Sequence, residues 1–283
     1  MQKRPYGATG VELSIVGFGG ILVMNETPKE SARLVSKAVD RGVNYFDVAP
    51  SYGNAQEMLG PALEPYRKDV FLACKTQKRS AAEAQQELDE SFRLLKTDYL
   101  DLYQLHAVTT DQDVEAILAP GGALEVFTKA REEGRVRYIG FSAHSEKAAH
   151  ALLDAFSFDS VLFPINWVTW TKEGFGPSVV ERVLTEGKAV LALKALAKRK
   201  WMENEEREWS KTWYKPVDTY EEAARGLRFT MSKGATAAVS PGHEQLFDWI
   251  CAAADKLGDL TNKDLREIEA EATKLQAIFP VAG

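Results

Sequence analysis

The sequence predicts a closed (β/α)8 barrel, the TIM barrel, with one extra helix at the C-terminus, and two observations predict it. Eight short apolar, β-branched runs alternate with longer segments whose apolar residues recur at three- and four-residue steps. Such alternation requires parallel strands joined through crossover helices. The alternation fills all 283 residues with no linker or composition break. That favours a single barrel domain spanning residues 1–283 over an open doubly wound sheet.

In chain order, residues 14–17 form the first expected strand and residues 29–41 the first helix. Strands follow at 43–46 and 70–73, the second leading into a helix at 81–95. Residues 99–105, 136–140 and 160–163 continue the series, with helices at 123–133 and 146–155 between them. A helix at 177–186 precedes the run Ala-Val-Leu-Ala-Leu at 189–193, and a helix at 219–231 precedes the last strand, 236–239. Residues 244–257 complete the eighth unit. A supernumerary helix is expected at 262–278, where Thr261 is a capping candidate. One stretch breaks the rhythm. Residues 198–217 gather Lys198, Arg199, Lys200, Trp201, Trp209, Trp213 and Tyr214. They read either as a long βα loop on the face of the strand C-termini or as a surface amphipathic helix packing its tryptophans.

Composition narrows the function classes. Hydrophobic residues make up 45%, enough for a sizeable core, and a net charge of -6 with a pI near 5.5 argues against nucleic-acid or anionic-membrane partners. Cys74 and Cys251 are too few for a disulfide framework or a cysteine metal cluster. The N-terminal residues lack the apolar run of a signal peptide, and no stretch approaches the ~20 apolar residues of a spanning helix. The expectation is a soluble, cytoplasmic protein, monomeric or weakly homo-oligomeric. His106, His144, His150 and His243 have no ligand-like spacing, so no metal site is expected.

Chemistry concentrates at the strand ends. Asp47 closes the run at 43–46, Lys75 follows 70–73, His106 closes 99–105, and Tyr52 follows Asp47 through the turn Ala49-Pro50-Ser51. Taken singly, each has an ordinary role, as a turn cap, a solvent-reaching lysine or a structural histidine. Together they make a proton-donating site, because a phenol with a pKa near ~10 becomes a usable acid once a cation stabilises its anion. That combination points to carbonyl reduction.

Four motifs then carry a resemblance: Gly42-Val43-Asn44-Tyr45-Phe46-Asp47-Val48-Ala49-Pro50-Ser51-Tyr52-Gly53, Leu72-Ala73-Cys74-Lys75-Thr76, Asp98-Tyr99-Leu100-Asp101-Leu102-Tyr103-Gln104-Leu105-His106, and Gly134-Arg135-Val136-Arg137-Tyr138-Ile139-Gly140-Phe141-Ser142. In this order the chain resembles the aldo-keto reductase superfamily over essentially its whole length. The resemblance implies a catalytic tetrad of Asp47, Tyr52, Lys75 and His106, with Tyr52 as general acid. It implies hydride transfer from NADPH or NADH to a small aldehyde, ketone or sugar carbonyl, or the reverse alcohol oxidation. It also implies a cofactor lining. Gly20 lets the chain pass beneath the cofactor beside Asp47, and Ser142 meets the carboxamide. Asn166 takes over bonding lost where Ala143 and Leu162 replace the usual Asn and Gln, unless it only bonds backbone in its loop. Leu193 covers the nicotinamide ring, and Lys194 and Leu196 lie along the pyrophosphate. Pro241, Gly242 and Gln245 occupy the segment where members preferring NADP carry Lys and Arg. Those cations are missing here, apart from a possible charge on His243, which weakens the case for NADP. His144 falls near the expected nicotinamide edge, and Trp167 and Trp170 offer a flat wall for a sugar or aromatic substrate, unless they are core. The alternative on the same fold is a catalytically weak, nucleotide-sensing regulatory subunit.

Overall fold

The structure, a computed structural model, describes residues 1–279. Ser14, expected to open the first strand at 14–17, instead ends an antiparallel hairpin, β1 (Lys3–Pro5) with β2 (Glu12–Ser14), and the first barrel strand is β3 (Val16–Gly19). Helix α1 (Pro28–Asp40) starts where sequence chemistry sets it. Thr27 accepts the Glu30 N–H and Pro28 fills the first turn, where a missing N–H costs nothing. Strand β4 (Tyr45–Asp47) follows, then α2 (Ala55–Leu63), β5 (Phe71–Thr76) and α3 (Ala81–Leu95), the last capped by Ser80. Beyond them come β6 (Leu100–Val108), α4 (Asp111–Leu118), α5 (Ala123–Glu132), β7 (Val136–Ala143), α6 (Glu146–Ala155) and β8 (Ser160–Pro164). The remainder is α7 (Trp167–Glu173), α8 (Pro177–Thr185), β9 (Ala189–Leu193), β10 (Ala197–Arg199), β11 (Lys215–Pro216), α9 (Tyr220–Ser232), β12 (Ala237–Val239), α10 (Glu244–Asp255) and α11 (Asn262–Ala272).

Eight parallel strands close into a barrel in the order β12-β3-β4-β5-β6-β7-β8-β9, which is the expected TIM barrel. The chain divides into two compact units, Phe18–Leu162 and a second made of Met1–Gly17 with Phe163 onward. In the first unit Asp47 pairs in register with Ala73, and Lys75 with Gln104. Its helix α2 lies so close to α3 that a Cβ on Gly60 would come within 2.7 Å of the Leu95 Cα. In the second, β12 lies beside β9 with Ala237 opposite Leu191 and Ala238 opposite Ala192. Among the described residues, no helix is long and apolar enough to cross a membrane.

Two further expectations need correction, and one open alternative is decided. The last helix ends at Ala272, not at 278. Its start obeys the Thr261 signal, a reciprocal capping box with Asp264. Its end does not persist because Lys274 and Leu275 bond three residues back, to Glu271 and Ala272, and the Leu275 carbonyl then accepts the Lys172 ammonium at 2.8 Å. Of the two readings of residues 198–217, the loop holds and the amphipathic helix does not. The loop stands on the two-stranded base β10 and β11 and is closed by charge. Arg199 grips Glu205 bidentately at 2.7 Å, and Lys198 bonds Asp218 and Glu222 at 2.8 and 2.6 Å. Finally, β5, β6 and β7 run longer than expected, so that Lys75, His106 and Ser142 lie within strands.

Candidate active site

Asp47, Tyr52, Lys75 and His106 all belong to the unit Phe18–Leu162. Asp47 is the last residue of β4, Lys75 the penultimate residue of β5, and His106 lies two residues before the end of β6. They therefore share the C-terminal ends of three adjacent strands, the end at which barrel enzymes place their chemistry. Tyr52 reaches the same place by a tight turn. Its N–H bonds the Ala49 carbonyl at 3.1 Å, and Gly53, with φ of 57°, takes the left-handed conformation that turns the chain into α2.

The site is layered. Underneath, the Lys75 ammonium, 0% exposed, donates to Asp47 Oδ1 on a carboxylate 2% exposed, and lies 3.3 Å from the Val48 carbonyl. Above that pair Lys75 Nζ is 3.5 Å from the Tyr52 hydroxyl. Tyr52 and His106 are half-buried, with ring centroids 5.9 Å apart and planes at 87°. Burial works against the Lys75 charge, but the Asp47 carboxylate, helped by Tyr52, outweighs it and raises the Lys75 pKa above its ordinary value. Lys75 is therefore a permanent cation at neutral pH. For Tyr52 the largest effect is burial, which raises the phenol, and Lys75 pulls in the opposite direction without fully compensating. The resting phenol is protonated.

His106 is aimed by a feature the sequence does not advertise. Between Leu105 paired with Phe141 and Val108 paired with Ala143, β6 contains one more residue than β7. Ala107 absorbs this bulge with φ of 54°, and its N–H donates to the Ser142 hydroxyl at 2.7 Å. Ser142 thus supports the strand that carries His106. Gly20 is close-packed. A Cβ there would lie 2.8 Å from Val48 Cβ and 3.0 Å from the Asp47 carbonyl. His144 follows β7, its N–H bonded to the Val108 carbonyl at 3.2 Å.

The other candidates lie in the second unit. Lys194 follows β9 with φ of 70°, and its ammonium sits 5.0 Å from the Trp213 ring centre and 4.7 Å from that of Tyr214. Burial pulls this ammonium down to about 8. Leu193 is half-buried and Leu196 buried. Pro241 and Gly242 are buried ahead of α10, whose N-cap residue His243 makes no side-chain cap, and Gln245 is exposed. His243 Nε2 instead accepts the Lys211 N–H at 3.0 Å, against the edge of Trp209. Asn166 is engaged within the protein. Its Oδ1 accepts the Val168 and Thr169 N–H groups at the start of α7, and its Nδ2 donates to the Lys194 and Ala197 carbonyls. Trp167 is buried in the core and Trp170 meets Phe229 edge-on, so these two rings pack this unit. Among the described residues, no group of three or more His, Cys, Asp or Glu is placed to hold a metal ion.

Residues 16–232 match the sequence model of the aldo/keto reductase family. The chain belongs to the aldo/keto reductase family. Among curated proteins, it is 32% identical over 157 residues to the uncharacterized oxidoreductase YqkF of Bacillus subtilis, covering 50% of this chain and 49% of that protein. It is 31% identical over 164 residues to the aldo-keto reductase YhdN of the same organism, covering 51% and 48%. L-Galactose dehydrogenase of Arabidopsis thaliana is 29% identical over 160 residues, covering 50% and 48%. The chain spans about half the length of the curated relatives it matches. Among solved structures, the holo form of aldo-keto reductase AKR11C1 from Bacillus halodurans superposes with a TM-score of 0.73 at 22% identity, covering 98% of this chain and 97% of that one. Thermostable aldo-keto reductase Tm1743 gives 0.70 at 17%, covering 95% and 99%. These two likenesses concern the fold. Members of the family typically depend on NAD(P)H. Within the second unit, Lys194, for which no carboxylate partner is found among the described residues, and the α10 N-terminus, which carries no side-chain cap, lie beyond neighbouring strands β9 and β12. They fit the phosphates of such a nucleotide, since both favour an anion.

Proposed function

We propose that this aldo/keto reductase reduces the carbonyl of a small aldehyde, ketone or sugar, or runs the reverse alcohol oxidation, with Tyr52 as the general acid. The observation that carries this reading is the buried Lys75 ammonium, anchored by Asp47 on one side and 3.5 Å from the Tyr52 hydroxyl on the other. A bound reduced nicotinamide nucleotide supplies the hydride that adds to the carbonyl carbon. Tyr52 transfers its hydroxyl proton to the carbonyl oxygen as negative charge gathers there, and the phenolate left behind is stabilised by Lys75 and reprotonated from solvent. His106, its ring edge-on to Tyr52, orients the carbonyl oxygen toward that proton. Asp47 keeps Lys75 charged and in place.

Gly20, Asp47 and Ser142 are the residues of one unit that would contact a nucleotide, and Leu193, Lys194, Leu196, Pro241, Gly242 and Gln245 are those of the other, with residues 1–283 read as a single domain. Asn166 serves this lining indirectly, by fixing the backbone at Lys194. Nothing in the segment 240–245 is a Lys or Arg, and Lys198 and Arg199 are engaged by Asp218, Glu222 and Glu205. This supports weak discrimination or a preference for NADH, unless Lys200, the third cation of that stretch, reaches the 2′-phosphate. The test is loss of reduced-nicotinamide absorbance on incubation with a panel of activated aldehydes and ketones. Turnover supports the reading, whereas nucleotide binding without turnover of any of them assigns the chain to the regulatory alternative.

A further inference from the structure

The carboxylate at the base of the tetrad has two oxygens, and only one faces Lys75. Asp47 Oδ2 accepts the Tyr45 hydroxyl at 3.2 Å and the Gln104 amide Nε2 at 3.2 Å. Both donors are 0% exposed. Their places follow from strand geometry. Tyr45 precedes Asp47 by two residues on β4 and so shares its face, and Gln104 lies in register with Lys75 across β5 and β6. The amide orientation is dictated by chemistry, since an ionised carboxylate only accepts and the flipped amide would set oxygen against oxygen. Across the next strand pair Gln104 faces Gly140, where a Cβ would come within 2.7 Å of Ser160 Oγ and 3.2 Å of Leu102 Cδ1. A glycine there leaves the barrel interior room for side chains such as the long amide. The Tyr45 ring is fixed in turn by an edge-on contact with Phe71, centroids 5.9 Å apart.

We propose that Gln104 and Tyr45 are positioning residues for the reaction: by occupying Oδ2 they fix the rotation of the Asp47 carboxylate, so that Oδ1 holds Lys75 beneath the Tyr52 hydroxyl. This rests on the tetrad reading above. In the dry interior an oxygen that loses a donor competes for the Lys75 ammonium that Oδ1 holds. An ammonium that swings toward Oδ2 leaves the 3.5 Å contact with Tyr52. A buried carboxylate with donors on both oxygens holds its cation still; one bonded on a single side does not.

The experiment compares Gln104→Met, which keeps length but removes the donor, with Tyr45→Phe, which removes one hydroxyl, in the full chain. Each is measured for kcat, KM, cofactor affinity by fluorescence, and the pH profile of kcat. We expect kcat to fall about tenfold or more in each, the worth of one hydrogen bond to a charged group, while cofactor affinity holds. The alkaline limb, which reports Tyr52, should move to higher pH as Lys75 loses its grip. Gln104→Glu should restore activity at low pH, where its protonated carboxyl donates to Asp47, and lose it as pH rises and two carboxylates face each other. Wild-type kcat and pH profile in Gln104→Met and Tyr45→Phe overturn the inference. So does a loss of kcat matched by equal losses of cofactor affinity and stability with the pH profile unmoved, which marks a purely structural role. Tyr52→Phe, run alongside, separates the two layers: if it is inactive while Gln104→Met is normal, only the positioning role fails, and if it is fully active, the tetrad reading itself fails.

Discussion

Replacing Lys75 by Met removes the cation from beneath Tyr52 and leaves a side chain of similar length. At the observed 3.5 Å, Coulomb's law with an effective dielectric of about 20 gives about 5 kcal/mol between the ammonium and a phenolate. Tyr52 is half-buried, and halving that figure for solvent screening leaves about 2 kcal/mol of interaction that favours the phenolate. The sign is definite. Lys75 lowers the phenol, so its removal raises it. In carbonyl reduction the protonated phenol is the active form, and the alkaline limb of kcat should move to higher pH at a much lower rate, the weaker acid being the poorer donor. In alcohol oxidation the phenolate is needed, and the onset of activity should likewise move to higher pH. The substitution also strands the Asp47 charge in the interior, at a cost of about 3 to 5 kcal/mol. A second variant separates the two effects: Asp47→Asn with Lys75→Met should regain most of the stability in urea denaturation and none of the activity. An alkaline limb that stays in place in Lys75→Met, or activity that returns with stability in the double variant, would refute the assignment of Lys75 as the perturber of Tyr52.

Lys194, held down to about 8 by burial, should take up a proton when nucleotide phosphates approach it. Calorimetric titration in buffers of different ionisation heat should show uptake of a fraction of a proton near pH 8.5, almost none at pH 6, and none at either pH in Lys194→Met. Fluorescence titration should find NADPH bound no more than about tenfold tighter than NADH, the worth of a single charge-assisted pair; a larger ratio would reveal a cation reaching the 2′-phosphate. Gly60→Ala should lower stability by about 1 to 3 kcal/mol in urea, because its Cβ would overlap the Leu95 Cα of α3, while kcat stays at the wild-type value.

What could be read in the chain depended on whether the signal was local. Alternating apolar runs and the helix start at Thr261 are local, and the barrel and most of its helices came from the alternation. Helix α2 escaped because Gly60 and Pro61 sit in its middle, and only its packing on α3 explains why a glycine is there. Asp47, Lys75 and His106 were legible because strand period and strand ends determine where they point. The bulge at Ala107 was not, since an alanine carries no preference for positive φ and the register with β7 decides it. Gln104 and Tyr45 looked like ordinary strand residues, and their bonds to Asp47 span neighbouring positions that only the folded sheet brings together. The role of Asn166 turned on contacts with Lys194 and Ala197, some thirty residues away.

The most direct test is Tyr52→Phe, assayed for reduced-cofactor binding and carbonyl reduction in the same preparation. Removing one half-buried hydroxyl should leave the fold and the nucleotide affinity intact and lower kcat by at least ~10²-fold, the contribution of a general acid. Turnover at the wild-type rate would contradict Tyr52 as the proton donor and, with it, the reading of Asp47, Lys75 and His106 as the groups that serve it.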